Sequence, residues 1–210
     1  LRVAREMREA GKPERFIWTT GSWLIYEYLE QAAPEARSEM EDAILRGEIS
    51  WHALPFTTHT ELEDVELFRF GLSLSQRLDE RFGRKTIAAK LTDVPGHTRG
   101  IVPLMAEAGI KFLHIGVNPG STVPKVPSLF RWQDESGAEL MVMYESGYGS
   151  AFEIKGMEDA LAFGHTSDNM GPQSPEEVLE VYRDKRSLFP GANVFASTLD
   201  RFAEKLEGVR

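Results

Sequence analysis

Short apolar runs alternate along this chain with longer stretches in which apolar residues recur every three or four positions. The short runs predict strands at residues 16–20, 49–54, 86–91, 111–116, 129–133, 139–144, 160–164 and 193–196. The longer stretches predict helices at residues 23–32, 35–45, 62–82 and 98–108, and two more after residues 174 and 197. This alternation favours an α/β fold with a parallel sheet or barrel, in which ligands bind where strands end and loops begin.

Local signals define several of the predicted helices. Ser174 and Glu177 form a capping-box pattern around Pro175, and residues 197–200 repeat the signal. Gly109 is a good C-cap. In the long helix at 62–82 the predicted apolar stripe consists of Leu67, Phe70, Leu74, Leu78 and Phe82.

No linker or shift in composition divides the chain, so residues 1–210 are predicted to form a single domain. The sequence opens in a helical pattern at residues 1–7 and closes just after a helix. We therefore expect a truncated domain, with further strands and partner surface supplied by the rest of the same polypeptide.

Charge and composition narrow the function classes. A net charge of −9 repels phosphate backbones and argues against nucleic acid as a partner. The chain has no apolar run of the roughly 20 residues needed to cross a bilayer, which argues against a membrane-embedded protein. Cysteine is absent, which excludes disulfides and thiol chemistry and fits a cytoplasmic location.

The five histidines are the first candidates for chemistry. His52, His59, His97 and His165 fall near the predicted ends of strands, where a shared polar site is expected. His114, between two apolar neighbours, is predicted to be a buried, hydrogen-bonded imidazole.

Three polar clusters follow predicted strands. In the first, His52 and His59 are candidate metal ligands and Glu61 is a candidate base or nucleophile. The alternative for Glu61 is a favourable acid in the first turn of the following helix.

In the second cluster, Asp93 and His97 flank a Pro-Gly pair, and Asp93 is placed to hold a sugar hydroxyl or to orient a histidine. The third cluster contains His165, Asp168 and Asn169, which suit a hydroxyl-rich ligand. The alternative in both is a turn in which Asp or Asn caps local amides.

In their order and approximate spacing, these clusters resemble glycoside hydrolase family 38, the α-mannosidase family, and more closely an uncharacterised branch of proteins similar to it. The segment Asp93-Val94-Pro95-Gly96-His97 is similar to the family's Asp-Pro-Phe-Gly-His segment between a strand and a helix. The segment Ser167-Asp168-Asn169-Met170-Gly171-Pro172 is similar to a Gly-rich loop of bacterial members.

The resemblance implies a seven-stranded α/β barrel that hydrolyses α-mannosides with retention and holds zinc in its site. It also implies that Asp168 does acid/base work. The family's nucleophile is an Asp after a strand whose counterpart here is residues 49–55, yet no acidic residue lies between Ser50 and Thr60. Glu61 is the nearest carboxylate, and a retaining enzyme needs its two carboxyl groups about 5 Å apart.

Three hypotheses follow. The first is a zinc-dependent glycosidase with Glu61 as nucleophile and Asp168 as acid/base, and with Asp93, His97, His165, Asn169 and Trp132 binding the carbohydrate substrate. The second is a metal-dependent polysaccharide deacetylase in which Asp93 or Asp168 is the base. The third is a non-catalytic carbohydrate-binding domain on a degenerate hydrolase scaffold, with aromatic platforms such as Trp132 and Tyr148.

Overall fold

A computed structural model describes residues 1–166 and 170–206 of the chain as a mixed α/β fold. The first half contains α1 (Arg2–Glu9), β1 (Trp18–Gly21), α2 (Ser22–Gln31), α3 (Pro34–Leu45), β2 (Ile49–His52), α4 (Val65–Phe82), β3 (Ala88–Asp93) and α5 (Ile101–Glu107). The second half contains β4 (Phe112–Val117), β5 (Leu129–Gln133), β6 (Glu139–Ser146), β7 (Ala151–Glu153), β8 (Ala160–Ala162), α6 (Pro175–Leu188) and α7 (Leu199–Leu206).

The strands form three sheets. β1 and β2 pair in parallel, with Trp18 opposite Ile49. A four-stranded sheet has the order β3-β4-β6-β5, in which β3, β4 and β6 are parallel and β5 is antiparallel to β6. A hydrogen bond of 2.9 Å from Ala53 N to Ala88 O connects the end of β2 to the start of β3.

The described strands do not close into a ring, so the predicted barrel is present here only as a mixed α/β fold with parallel strands. The strand predicted at residues 160–164 is β8, but it pairs with β7 in an antiparallel hairpin and is not a parallel strand of a barrel. The strand predicted at residues 193–196 was wrong. Val194 and Ala196 pack against the apolar cluster of α1 and α6, and this stretch pairs with no strand in the part of the chain described.

The two faces of the four-stranded sheet differ in chemistry, the outer one being apolar and the inner one mixed. On the outer face, Leu91, Leu113 and Val142 are fully buried in a cluster with residues of α4 and α5. Because side chains alternate along a strand, the residues between them, including Lys90 and His114, belong to the inner face. Helices α4 and α5 therefore cover the outer face, whereas the inner face carries both these polar groups and an apolar cluster of Ala88, Phe112 and Met143 with α7.

Helix α4 buries a face that differs in part from the predicted stripe. Leu74 and Leu78 are buried as expected, but Leu67 and Phe70 are exposed, and Phe68 and Leu72 face the core instead. Gly71 explains the rotation, because a Cβ atom there would lie 3.0 Å from the Pro55 ring. The helix packs directly against this proline at Gly71, and its neighbours on the same side of the helix, Phe68 and Leu72, are therefore buried.

The capping signals were partly confirmed. Ser174 and Glu177 form the predicted capping box at the start of α6, and Gly109 has the left-handed backbone of a C-cap, with φ of 81°. At α7, by contrast, the Thr198 hydroxyl accepts from Arg201 N, and Asp200 bonds outside its own helix. No described helix is both long and apolar enough to span a bilayer.

Three carboxylates organise the other end of the strands. Glu48, 2% exposed, forms ion pairs with Arg8, Arg15 and Arg46 just before β2. Asp79 of α4 accepts hydrogen bonds from Trp51 Nε1 and from the backbone and hydroxyl of Thr86.

Asp200 of α7 is the third. Its Oδ1 accepts from Ile87 N at 2.8 Å and from Ala88 N at 2.9 Å, so α7 satisfies the amides at the entrance to β3.

Replacing Asp200 by Asn tests this anchor. Burial raises the pKa of Asp200 from 3.8 to about 6, although the two amide hydrogen bonds oppose the shift. The folded protein therefore holds the proton more tightly than the unfolded chain, and this carboxyl group lowers the free energy of unfolding by up to about 3 kcal/mol as pH rises from 4 to 7. An amide oxygen keeps the two hydrogen bonds without the charge, so urea denaturation should show a smaller loss of stability across this pH range in Asp200→Asn.

The matched control is Asp184→Asn on the exposed surface of α6, which should keep the pH dependence of the unmodified protein. If Asp200→Asn and Asp184→Asn gave the same slope of stability against pH, the carboxyl group of Asp200 would not be the titrating anchor.

Candidate functional site

A wide cleft of about 2150 Å³ opens over the ends of β1, β2 and β3. One side is lined by strand-end residues, among them Thr20, His52 and Asp93. The other side is formed by the β7–β8 hairpin, by α6 and by the segment leading into α7. The cleft thus lies where an α/β fold ordinarily binds its ligand.

Asp93, Asn118 and Tyr148 form a hydrogen-bonded cluster on the wall of this cleft. Asn118 Nδ2 donates to Asp93 Oδ1 at 3.0 Å and to the Tyr148 hydroxyl oxygen at 3.2 Å. The Tyr148 hydroxyl lies 3.4 Å from the same Asp93 oxygen. The three residues come from the ends of β3 and β4 and from the loop after β6, so the sheet brings together side chains that are far apart in sequence.

Two members of this cluster have strained backbones. Asp93 has φ of 77° and Tyr148 has φ of 57°, and they are the described non-glycine residues with positive φ. Such conformations cost on the order of 1–3 kcal/mol each and concentrate at functional sites. Gly116 allows the close approach, because a Cβ atom there would lie 2.5 Å from the carbonyl carbon of Tyr148.

Beside this cluster, a chain of charged and polar groups crosses the inner face of the sheet. Lys90 Nζ lies 2.9 Å from His114 Nδ1 and 2.5 Å from the backbone oxygen of Tyr148. His114 Nε2 lies 2.9 Å from Glu145 Oε1. The other oxygen of Glu145 accepts from the backbone N–H and hydroxyl of Ser150. The prediction of a buried, hydrogen-bonded His114 is confirmed.

Burial dominates the electrostatics of this chain. It lowers the pKa of Lys90 to about 7, against the opposing charge of Glu145. It lowers the pKa of His114 to about 4, although the hydrogen bond to Glu145 opposes the shift. Burial alone would raise the pKa of Glu145, but the bonds from His114 and Ser150 bring it below the ordinary value. At neutral pH, therefore, Glu145 is a carboxylate and His114 is neutral.

This charge pattern determines the tautomer of His114. The Glu145 carboxylate can only accept, so Nε2 carries the proton and Nδ1 is left as the acceptor facing Lys90. Phe163 covers the pair, with its ring 4.4 Å from both Lys90 Nζ and the His114 ring.

His52 lines the cleft, and its role as a metal ligand stays a prediction. It is 8% exposed, and its buried Nδ1 has no hydrogen-bond partner. Burial lowers the pKa of His52 to about 3, and the charge of Lys90 adds to this effect.

A zinc site needs three or four protein ligands, and within residues 1–166 and 170–206 no three His, Asp or Glu side chains come together as a metal site. The described residues therefore hold no complete site for the zinc ion that the resemblance implies, and we derive no chemical step through it.

The third sequence cluster borders the cleft in its described part. His165 lines the cleft, and its Nε2 lies 3.0 Å from the backbone oxygen of Gly149. Thr166 and Met170 also line the cleft. Asp168 and Asn169, the predicted acid/base and substrate-binding residues between them, lie outside the described residues.

Glu61, His59 and His97 form a separate group that does not line the cleft. The Thr60 hydroxyl accepts from Thr98 N at 3.1 Å and lies 3.2 Å from His97 Nδ1, tying the loop before α4 to the loop after β3. Burial lowers the pKa of His97, with Glu61 opposing. Glu61 itself is exposed at this junction. The cleft is thus lined by His52, Asp93 and His165 and not by these three residues.

The aromatic residues are also redistributed. Trp132 of β5 packs against the core cluster on the outer face and does not line the cleft. Trp23 and Phe56 do line it, although neither was expected at the site. They are 44% and 50% exposed and meet edge to face, with ring centroids 6.1 Å apart. Tyr148, which was expected as an aromatic platform for sugar rings, lines the cleft, and its hydroxyl group bonds to Asp93.

Lys90, Asn118 and Glu145 were missed from sequence. One signal was available, because Lys90 is a charged residue inside the otherwise apolar run at 87–91. A strand with a charge in its middle has one polar face, and that charge needs a partner. The identity of the partners depended on the pairing of β3 with β4 and of β4 with β6.

Two solved structures match part of this chain. An alpha-mannosidase from Enterococcus faecalis V583 matches with a TM-score of 0.54 and 12% identity over 68% of this chain and 17% of that chain. A 4-alpha-glucanotransferase from Thermococcus litoralis matches with a TM-score of 0.48 and 15% identity over 69% of this chain and 23% of that chain. The chain thus spans less than a quarter of either protein, and the likeness to the mannosidase is one of fold. Neither a family model nor a curated protein sequence matches the chain.

The close packing of Gly116 against Tyr148 can be tested with Gly116→Ala. The added methyl group would meet the Tyr148 backbone at 2.5–2.7 Å, so the loop after β6 must move. Overpacking of this kind costs roughly 1–3 kcal/mol, and we expect that loss in urea denaturation. Gly100→Ala is the matched control, since its nearest new contact is a side-chain oxygen at 3.5 Å. Equal stabilities of the two variants would contradict the packing described here.

Proposed function

We propose that this chain is a domain of a carbohydrate-active hydrolase, of the glycosidase type that includes α-mannosidases. The observation that carries the proposal is the cluster of Asp93, Asn118 and Tyr148 on the wall of the cleft. Carboxylate, amide and phenol groups are the donors and acceptors that pair with sugar hydroxyls. The fold shared with part of an alpha-mannosidase supports the same assignment.

The strained cluster is suited to binding a rigid, hydroxyl-rich ligand. Asp93 accepts hydrogen bonds from Asn118 and Tyr148 on Oδ1. In the described part of the chain, Oδ2 accepts none. The carboxylate is exposed, so Oδ2 can accept from a hydroxyl group in the cleft. Asn118 and Tyr148 hold the carboxylate in place, which reduces the entropy lost when a ligand binds.

The chemical step needs two carboxyl groups, and we propose Asp168 and Asp93. Asp168 matches the acid/base position of the family that the sequence resembles. Asp93 replaces Glu61 as the second candidate, because Asp93 lines the cleft and Glu61 does not. In a retaining glycosidase the two groups flank the scissile bond about 5 Å apart, one protonating the leaving oxygen and the other attacking the sugar.

The proposal also includes the barrel implied by the resemblance. A seven-stranded α/β barrel would contain, as successive parallel strands, β1 and β2 and then β3, β4 and β6. A closed barrel of that size needs further strands in addition to these five.

Carbohydrate binding without hydrolysis is the second candidate. It is favoured by the exposed edge-to-face pair of Trp23 and Phe56 on the cleft, because exposed aromatic rings offer apolar faces to sugar rings. On this scaffold, the same Asp93 cluster would hold the hydroxyl groups and no bond would break.

A kinetic assay on aryl α-mannoside and a panel of other aryl glycosides tests the proposed hydrolase, in EDTA and with added zinc. Loss of a positioned acid or base lowers turnover by roughly 10²–10⁴-fold, which we expect for kcat in Asp168→Asn. For Asp93→Asn, a fall in kcat indicates a reacting group, whereas a rise in KM alone indicates a binding group. Asp42→Asn, on the exposed face of α3, is the control and should leave both constants unchanged.

Turnover that survives both active-site substitutions would contradict the proposed carboxylates. Sugar binding by calorimetry with no turnover on any substrate would instead identify the binding domain. Release of acetate from an acetylated sugar would identify a deacetylase.

A further inference from the structure

Lys90 is an amine held on the floor of the cleft with no opposite charge in contact. It is half-buried and lines the cleft. Its Nζ contacts two uncharged acceptors, His114 Nδ1 and the Tyr148 backbone oxygen. In the described part of the chain no carboxylate lies within ion-pair distance of Nζ, and Glu145 is one residue further along the chain of contacts. A lysine that only stabilised the fold would be expected to pair with that carboxylate directly.

The order of these groups is that of an activated nucleophile. A nucleophile of this kind lies within hydrogen-bond distance of a base, and a third group orients the base. Here the distances are 2.9 Å from Lys90 Nζ to His114 Nδ1 and 2.9 Å from His114 Nε2 to Glu145 Oε1. Ser150 holds the second oxygen of Glu145, so the carboxylate has little freedom to turn.

We propose that Lys90 forms an imine with the aldehyde or ketone carbon of a ligand in the cleft, with His114 as the proton acceptor and Glu145 as the orienting group. Open-chain sugars are one chemical class that carries such a carbonyl group. The inference goes beyond the hydrolase proposed above and does not depend on it, because it concerns an amine that the hydrolytic step does not use.

The reaction balances with the groups present. The lone pair of Nζ attacks the carbonyl carbon, an N–C bond forms as the C–O π bond breaks, and the carbonyl oxygen takes up a proton from solvent. The attacking nitrogen loses one of its two protons to His114 Nδ1, and the imidazolium is stabilised by Glu145 through Nε2–H. His114 returns that proton as the hydroxyl group departs as water, which leaves a C=N bond to Lys90, and the remaining N–H proton returns to solvent. No oxidant or reductant is consumed.

The surroundings favour a neutral amine. Burial lowers the pKa of Lys90 to about 7, so about half of the molecules carry a free lone pair at pH 7. Within the described residues, three titratable groups face it: His114 on β4, His52 on β2 and Glu145 on β6. His52 and His114 are neutral at this pH, and Glu145 is the charge that opposes the shift.

Reductive trapping tests the proposal on the unmodified protein. The probe is glycolaldehyde with sodium cyanoborohydride, which reduces an imine to a stable hydroxyethyl amine, and peptide mass spectrometry measures the rate at each lysine. An ordinary lysine, with a pKa near 10.4, is almost fully protonated at pH 7, so we expect Lys90 to react at least about tenfold faster than the exposed Lys125. The Lys90 rate should be half-maximal near pH 7.

Two variants sharpen the result. Lys90→Arg keeps the positive charge and should abolish labelling of that peptide while Lys125 is labelled as before. His114→Gln removes the proton acceptor and should slow Lys90 several-fold without changing Lys125.

If either variant fails to fold, the ratio of Lys90 to Lys125 in the unmodified protein still decides. A ratio of one or less at pH 7, or the same pH profile at both lysines, would overturn the proposal. Rapid labelling of Lys90 in a protein that hydrolyses no glycoside would support the imine and count against the hydrolase alone.

Discussion

The hydrogen-bonded chain from Lys90 through His114 to Glu145 is the interaction on which the inner face of the sheet depends. Each group would be costly to bury alone, because an isolated charge in a protein interior loses its hydration without compensation. Together they satisfy one another across three neighbouring parallel strands, β3, β4 and β6. The arrangement also fixes the loop after β6, because Lys90 donates to the Tyr148 backbone and Ser150 donates to Glu145. These hydrogen bonds from buried polar groups therefore help to hold the strained backbone of Tyr148 in the Asp93 cluster.

The two ends of the strands have different tasks. At their start, Glu48, Asp79 and Asp200 bind arginines and backbone amides and hold helices α1, α4 and α7 to the sheets. At their end, Asp93 and Asn118 use the same kinds of group to line a cleft of about 2150 Å³. In α/β barrels, residues at the start of strands serve stability and those at the end serve function. In this chain, stabilising groups lie at the start of the strands and cleft-lining groups at their end, although the described strands do not form a closed ring.

The residues that the sequence placed in one site are divided between two surfaces. His52, Asp93 and His165 lie on the cleft, whereas His59, Glu61 and His97 hold together two loops beside it. All six lie at or after the ends of strands, so this position along the chain did not separate them. The separation depends on the direction in which each loop leaves its strand. Asp93, with φ of 77°, turns toward Asn118, and the chain then runs away from the cleft to His97.

The sequence by itself determined the alternation of strands and helices, the capping box at Ser174 and the burial of His114, because these follow from local periodicity and from neighbours along the chain. It placed most elements within a few residues, and it identified the strand ends as the region of the cleft. Only the tertiary structure decided that residues 193–196 pack without a sheet partner, that α4 rotates around Gly71, and that Lys90 reaches His114 and Glu145. Those features depend on strand order and register, which bring residues 24 and 31 positions apart into contact. Local pattern carries no record of that pairing, since a polar residue on an inner strand face looks the same whichever strand lies beside it.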